Sequence, residues 1–251
     1  MSHFYKHQQN GAYKFLKTVR TPAQARKSGA WASVTTKLGI IANAQLDNWS
    51  RRQIFDLAKA GHEWDECNRR RYGMRTDVTG EEVTSASFGT AVHAAIEAQM
   101  IRIRDGDLSP NVSRYADYVN PFREWFLGCG YDIIEPETIV GCARRRTAGT
   151  IDVLAKDLAG QLVLMDFKTR SIPNGSKPES KVYGKDAAQL AVEARMIANK
   201  YRLDQDPRIL SIVIDVADGS TGIKHWKPQQ QADALEVFDA ANNLYNVVNK
   251  L

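Results

Sequence analysis

Two aspartates and a lysine, Asp152, Asp166 and Lys168, are spaced so that a β-hairpin would bring them together. Two short apolar runs, residues 151–155 and 162–167, flank the sequence Asp157-Leu158-Ala159-Gly160. A glycine late in a three-residue loop suits the left-handed backbone position that such loops need, so the stretch reads as a hairpin. With residues 158–160 as the loop, positions whose numbers sum to 318 face each other, and Asp152 lies opposite Asp166. Strand side chains alternate with period two, so Asp166 and Lys168 share a face that Asp152 joins from the neighbouring strand. Two carboxylates and an ammonium on one patch suit a hard divalent cation, which takes one or two carboxylates and leaves positions for water and a substrate phosphate. Such a cation lowers the pKa of bound water and offsets charge developing on the phosphate. A nearby lysine can orient that water or stabilise the transition state as a fixed point charge. The tripeptide D-x-K alone is expected about once by chance in a chain of this length. The information lies in G-T-I-D, a hairpin and D-F-K-T in matching register.

Other elements must position these residues. A strong helix follows Ser85 or Ser87 as cap, with Phe88, Val92, Ile96, Met100 and Ile103 at helical spacing before Asp105-Gly106. His93 and Glu97 lie four apart on one side of it, where they can serve a metal as ligand and supporting carboxylate or form a polar flank. A second helix over residues 114–127 carries Tyr118, Phe122, Trp125 and Phe126, and residues 131–140 read as a strand with Glu135 and Glu137 on one face. Arg144, Arg145 and Arg146 occupy the turn before the hairpin and can clamp phosphate. Residues 171–186, rich in Pro, Gly, Ser and Lys, have no apolar period; a loop of that length is functional or mobile. A helix over 187–201, strands over 209–216 and 223–226, and a closing helix over 230–248 complete the core order of helix, strand, hairpin, helix, strand. Towards the start, residues 1–30 read as loosely structured, and residues 42–60 as a helix containing Leu46, Trp49, Ile54, Phe55 and Leu57. Trp49 with Arg51 and Arg52 can stack on bases and touch phosphates, or be core and solvated surface respectively.

The chain of 251 residues can bury a full core. No apolar run approaches a membrane span, and the beginning lacks the apolar stretch of a signal peptide, so a cytoplasmic address is expected. Cys67, Cys129 and Cys142 are too few and too dispersed for a disulfide framework or a four-cysteine cluster. The net charge of +5 is uneven: residues 1–80 hold 14 Lys+Arg against 6 Asp+Glu, leaving 20 against 23. A basic first third suggests a polyanion partner or a solvated surface.

In combination these motifs resemble the PD-(D/E)XK nuclease superfamily, most closely its RecB-like exonuclease branch, which includes phage-encoded and CRISPR-associated exonucleases and the mitochondrial genome-maintenance exonuclease. Phe88-Gly89-Thr90-Ala91-Val92-His93 with Glu97 is similar to the G-x-x-x-H-x-x-x-E helix of that branch, and Glu137-Thr138-Ile139-Val140 to its acidic strand. Gly149-Thr150-Ile151-Asp152 and Asp166-Phe167-Lys168-Thr169 resemble its two metal-site motifs, and Gln189-Leu190-Ala191 its glutamine helix. The resemblance, over residues 31–220, implies an α/β fold: a restriction-endonuclease-like core with a central mixed β-sheet flanked by helices, residues 83–251, preceded by a helical, basic N-terminal region, residues 1–82. It implies a Mg²⁺- or Mn²⁺-dependent DNA exonuclease acting on single strands or duplex ends, in a bacterial or phage-infected cell, in DNA recombination or repair. His93, Asp152, Asp166 and the Phe167 carbonyl would hold the metal, Lys168 would position the attacking water, and Glu137 and Gln189 would support substrate or site. Where the family's glutamine helix carries a tyrosine four residues on, this chain has Glu193. Nothing after Cys142 can supply the cysteines of the iron–sulfur members, so no cluster is expected. The alternative is a catalytically silent DNA-binding or assembly protein on the same fold.

Overall fold

The structure, a computed structural model, describes residues 2–41 and 44–249, with the side chains of residues 44–46 not among those described. Ala42, the expected start of the first long helix, and the Leu46 side chain therefore lie outside the described residues. In chain order the elements are β1 (Phe4–His7), β2 (Tyr13–Phe15), α1 (Pro22–Ser28), β3 (Trp31–Ser33), α2 (Val34–Leu38), α3 (Ala44–Lys59) and α4 (Trp64–Arg70). There follow β4 (Met74–Thr76), β5 (Glu82–Thr84), α5 (Ser85–Arg104), α6 (Ala116–Gly128), β6 (Asp132–Cys142), β7 (Thr147–Lys156) and β8 (Leu162–Arg170). The chain closes with α7 (Gly184–Tyr201), β9 (Arg208–Asp215), β10 (Thr221–His225) and α8 (Pro228–Asn249). This is the expected α/β class: a central mixed sheet flanked by helices. No helix among the described residues is long and apolar enough to cross a membrane.

The β7–β8 hairpin has the expected register, running from Val153 opposite Met165 to Lys156 opposite Leu162. Gly160 takes φ +77° in its turn, and the Asp157 carboxylate accepts from the amides of Ala159 (3.0 Å) and Gln161 (2.9 Å). β8 pairs in parallel with β9 from Val163–Arg208 to Arg170–Asp215. That parallel crossover is made by α7, the kind of helical connection that parallel strands require. β9 is apolar on both faces because both are covered. Ile209 joins one core with Leu154, Leu164, Leu190, Ile197 and Phe238, between the sheet and helices α7 and α8. Leu210, Ile212 and Ile214 join the other with Val163, Met165, Phe167 and the apolar stripes of α5 and α6. Phe122 meets Phe167 edge-on at 4.6 Å in that second core. The cap of α5 is Thr84, one residue before the expected serines: its hydroxyl accepts from the Ser87 amide at 3.1 Å.

Residues 1–30 are not loosely structured. β1 and β2 form a hairpin, with Tyr5 opposite Phe15 and His7 opposite Tyr13. Through β3 this hairpin joins the main sheet, whose order is β10-β9-β8-β7-β3-β1-β2 with β6 also on β7. Thr21 and Gln24 form a capping box that starts α1 at Pro22. Strands β1 to β3 therefore share a sheet with β7, while β4 and β5 pair in a separate two-stranded sheet.

β6 occupies one edge of β7 along its whole length, from Asp132 opposite Lys156 to Cys142 opposite Thr147. Two strands share the other edge. β3 runs parallel to Thr147 and Ala148, and β8 runs antiparallel to residues 153–156. Between them, residues 149–152 have no strand partner on that edge. The sheet is split where G-T-I-D lies.

Candidate active site at the split in the sheet

Asp152 sits at the lip of this split. Ile151 and Leu154 pack into the core under α7, whereas Val153 and Ala155 pack into the core under α5. Period-two alternation therefore slips by one at Asp152. Its carboxylate reaches across the gap, where Oδ2 accepts from the Phe167 amide at 2.7 Å. That bond ties the start of the hairpin to the D-F-K-T strand where the regular ladder has ended. The β6–β7 register, with Pro136 opposite Val153 and Thr138 opposite Ile151, sets Glu137 directly across from Asp152. Glu137 has φ +51°, a left-handed conformation that costs a non-glycine residue of order 1 kcal/mol and is concentrated at functional sites. Burial, then repulsion from Asp152 and Glu97, pushes its carboxyl up to about 7.

On the α7 side, Asp166 and Lys168 project from β8 towards Gln189. The Lys168 ammonium lies 2.7 Å from Asp166 Oδ1 and 2.6 Å from Oδ2. Gln189 holds both partners: its Nε2 donates to Asp166 Oδ1 at 3.1 Å, and its Oε1 accepts from Lys168 Nζ at 3.4 Å. Burial raises Asp166 to about 6, with Lys168 opposing and Asp152 adding to the rise. Burial alone would lower Lys168, but the carboxylates of Asp166, Asp152 and Asp186 outweigh it and hold the amine above its ordinary value. Lys168 is therefore a fixed ammonium. One turn beyond Gln189, Glu193 is 1% exposed and is raised well above the usual carboxylate range by burial and by Asp166 and Asp152. Its Oε1 would lie 2.5 Å from a Cβ on Gly149, so the glycine of G-T-I-D makes room for this carboxyl.

Helix α5 closes the other side. A Cβ on Gly89 would meet Thr169 Oγ1 at 2.7 Å; the bare glycine lets the helix lie against the D-F-K-T strand. His93, one turn on, is thereby brought with Nδ1 3.9 Å from Asp152 Oδ2 and its ring edge-on to Phe167 at 6.2 Å. Burial, then the Lys168 charge, lowers His93 to about 4, so its imidazole is neutral, the form that ligates metals. Glu97 lines the same cleft but makes no hydrogen bond to His93; its charge acts on Glu137 and Asp152.

The acidic side chains, His93, Lys168 and Gln189 line one cleft of about 670 Å³. The arginines expected to contact phosphates lie outside it, and Gln189 lies within it. Arg51 and Arg52 are exposed on α3, a helix that packs on α4. Arg145 is committed elsewhere: its Nε and Nη2 donate to the two oxygens of Asp239 on α8 at 2.6 and 2.8 Å, an ion pair that fixes the β6–β7 turn. Arg144 and Arg146 remain exposed in that turn. Among the cleft residues not expected as site residues are Glu193 and Tyr5. Glu193 is a charged residue inside the apolar run 187–198, four after Gln189, and that placement was the available signal. Tyr5, in a segment read as irregular, bonds through its hydroxyl to Thr150 Oγ1 at 3.0 Å.

The side-chain donors suit a hard cation: carboxylate oxygens and one neutral imidazole. Asp166 Oδ2 is met by the Lys168 ammonium at 2.6 Å, whereas the buried Glu193 Oε2 has no hydrogen-bond partner. Unsatisfied buried carboxylate oxygens are costly unless something positive or protic meets them. Among the described residues no three His, Cys, Asp or Glu side chains close into a metal cage. An open set of one or two carboxylates is what Mg²⁺ takes, since it keeps several of its waters.

No protein family matches the chain, and no curated protein matches it. Among solved structures it is similar to SSO0001, at 11% identity and a TM-score of 0.33 over 64% of this chain and 60% of that one. It is also similar to a Eubacterium rectale protein described as a "putative exonuclease", at 12% identity and a TM-score of 0.42 over 64% of this chain and 68% of that one. The chain thus spans about three-fifths of the length of the first of these.

Proposed function

We propose that the protein is a Mg²⁺- or Mn²⁺-dependent deoxyribonuclease of the PD-(D/E)XK, RecB-like kind, an exonuclease that hydrolyses DNA phosphodiester bonds. The observation that carries this is the Asp166–Lys168–Gln189 cluster beside Asp152 at the split in the sheet. Asp152, Asp166, the Phe167 carbonyl and His93 would hold the cation. Once bound, it supplies a water of lowered pKa and a counter-charge for the phosphate.

The chain's own residues do the rest. Lys168 presents a compact ammonium whose position is set by Asp166 and Gln189 before substrate arrives, so little reorganisation is needed as charge develops on the phosphate. Gln189 keeps lysine and aspartate in register. Glu137, with its carboxyl near 7, can take up or give a proton at the edge of the cleft at neutral pH. His93 stays neutral and offers a lone pair. A binding protein without turnover has no need of a preorganised lysine at this point.

The direct test is incubation of the purified protein with end-labelled single- and double-stranded DNA in Mg²⁺, Mn²⁺ or EDTA. Shortening of labelled DNA only with the cation is expected. Cleavage that persists in EDTA, or no cleavage with either cation, would overturn the proposal.

A further inference from the structure

The first three strands carry a feature that catalysis does not use. On one face of β1, β2 and β3, Phe4, Leu16 and Ala32 pack with Ala25 of α1 and Tyr245 of α8. The opposite face is aromatic: His3 just before β1, Tyr5 and His7 from β1, Tyr13 and Phe15 from β2, and Trp31 from β3. Their rings form two clusters, His3–Phe15–Tyr5 beside the cleft and His7–Tyr13–Trp31 further along the strands. Phe15 lies 5.4 Å from His3 and 5.6 Å from Tyr5. His7 stacks on Trp31 at 5.2 Å with 18° between planes, and Tyr13 is 5.0 Å from His7 and 5.5 Å from Trp31. His3 and His7 are exposed, Tyr13, Phe15 and Trp31 are half-buried, and Tyr5 is buried beneath them.

This face is continuous with the candidate active site. His3, Tyr5 and Phe15 line the same cleft as Asp152, Asp166 and Lys168. Tyr13 lines the adjoining groove, which shares Glu137 and Ile139 with that cleft. The Tyr5–Thr150 hydrogen bond fixes the spacing: Thr150 is two residues before Asp152, ~7 Å along a strand, about one nucleotide step. The surroundings also have the right charge. Residues 1–46 hold seven Lys+Arg and no Asp or Glu.

We infer that the aromatic face of β1–β3 binds the unpaired bases of the strand whose phosphate enters the cleft, and that the substrate class is therefore single-stranded DNA. This rests on the nuclease proposal for the adjacent site. Every base has a π-face, so stacking on aromatic side chains holds a strand without reading its sequence, and a basic surround tracks the backbone. Bases in an intact duplex are stacked on one another and cannot use such a face. A flat sheet surface bearing aromatic rings can take bases only when they are splayed out.

The test is fluorescence anisotropy in EDTA with a labelled oligothymidylate and an oligonucleotide of equal length made of abasic nucleotides. The wild-type protein should bind the base-bearing strand at least about tenfold more tightly, with blunt duplex DNA a correspondingly poor competitor. Phe15→Leu and Trp31→Leu keep apolar bulk but lose the aromatic face. Each should remove most of that preference and leave affinity for the abasic strand unchanged. Equal wild-type affinity for the two strands would overturn the inference without recourse to any variant, as would variants that weaken both strands alike, the mark of a purely structural role. Base-dependent binding without cleavage in either cation would uphold this surface and overturn the nuclease proposal instead.

Discussion

Replacing Gly89 with alanine tests how α5 delivers His93 to the site. The new Cβ would sit 2.7 Å from Thr169 Oγ1, where ordinary contact begins at 3.4 Å, so helix and strand must part by up to about 0.7 Å or Thr169 must turn. Overpacking of this kind costs about 1–3 kcal/mol. Alanine recovers about 1 kcal/mol of helix propensity over glycine, leaving a net loss of about 0–2 kcal/mol in urea unfolding. Activity should respond more strongly. His93 is one turn along, and a misplacement near 1 Å in a catalytic constellation can cost about 100-fold, so a 10- to 100-fold fall in the cleavage rate of end-labelled DNA is expected. Thr169 Oγ1 makes no hydrogen bond among the described residues, so Thr169→Ala leaves no partner unsatisfied and should be mild alone. Combined with Gly89→Ala it should restore most of the activity, a coupling of at least about 1 kcal/mol in the double-mutant cycle. Wild-type activity in Gly89→Ala, or no rescue by Thr169→Ala, would refute the close approach of α5 and β8 as the device that sets His93.

Two further outcomes follow from charge. Glu193 is raised in the folded state, so its contribution to stability is present below its unfolded pKa and is lost as pH rises through the raised value. In EDTA, Glu193→Gln should match the wild type near pH 4 and become progressively more stable than it towards pH 9; parallel unfolding curves would contradict the buried, protonated carboxyl. Arg51→Ala and Arg52→Ala should each lower the salt slope of DNA binding by about 1 and leave stability within about 0.5 kcal/mol. Arg145→Ala should do the reverse, costing about 1–2 kcal/mol through the lost Asp239 pair and barely changing the slope; the opposite assignment of effects would show that the two sets had been exchanged.

Much of the centre was legible because its signals are local. Gly160 and the two apolar runs set the hairpin register. The stripe from Phe88 to Ile103 marked α5, and its spacing put His93 and Glu97 on one side. The N-terminal strands were missed because β1 and β2 are four and three residues long and carry His, Lys and aromatic residues rather than an aliphatic alternation. β2 is held by β1 and β1 by β3, which itself pairs with β7 more than a hundred residues away. The slip at Asp152 was equally hidden. Strict alternation puts Asp152 on the face of Asp166, whereas the structure lays its carboxylate across the gap, because β3 ends and β8 begins on the same edge of β7. In the triple-arginine turn, the pairing of Arg145 with Asp239 on the last helix was not legible, because its partner lies 94 residues away. Glycines 89 and 149 were read as motif letters; each proves to mark a contact that a methyl group would block.

The central proposal is tested most directly at Lys168, by pairing cleavage with metal binding in one variant. Lys168→Ala removes the ammonium held by Asp166 and Gln189 but leaves the carboxylates, so calorimetry should still detect Mg²⁺ or Mn²⁺ binding. Cleavage of end-labelled single-stranded DNA should fall by at least about 100-fold, and Lys168→Arg should not restore it fully, because a planar guanidinium cannot replace a compact ammonium. Cleavage by Lys168→Ala at the wild-type rate would contradict the assignment of this cluster as the active site.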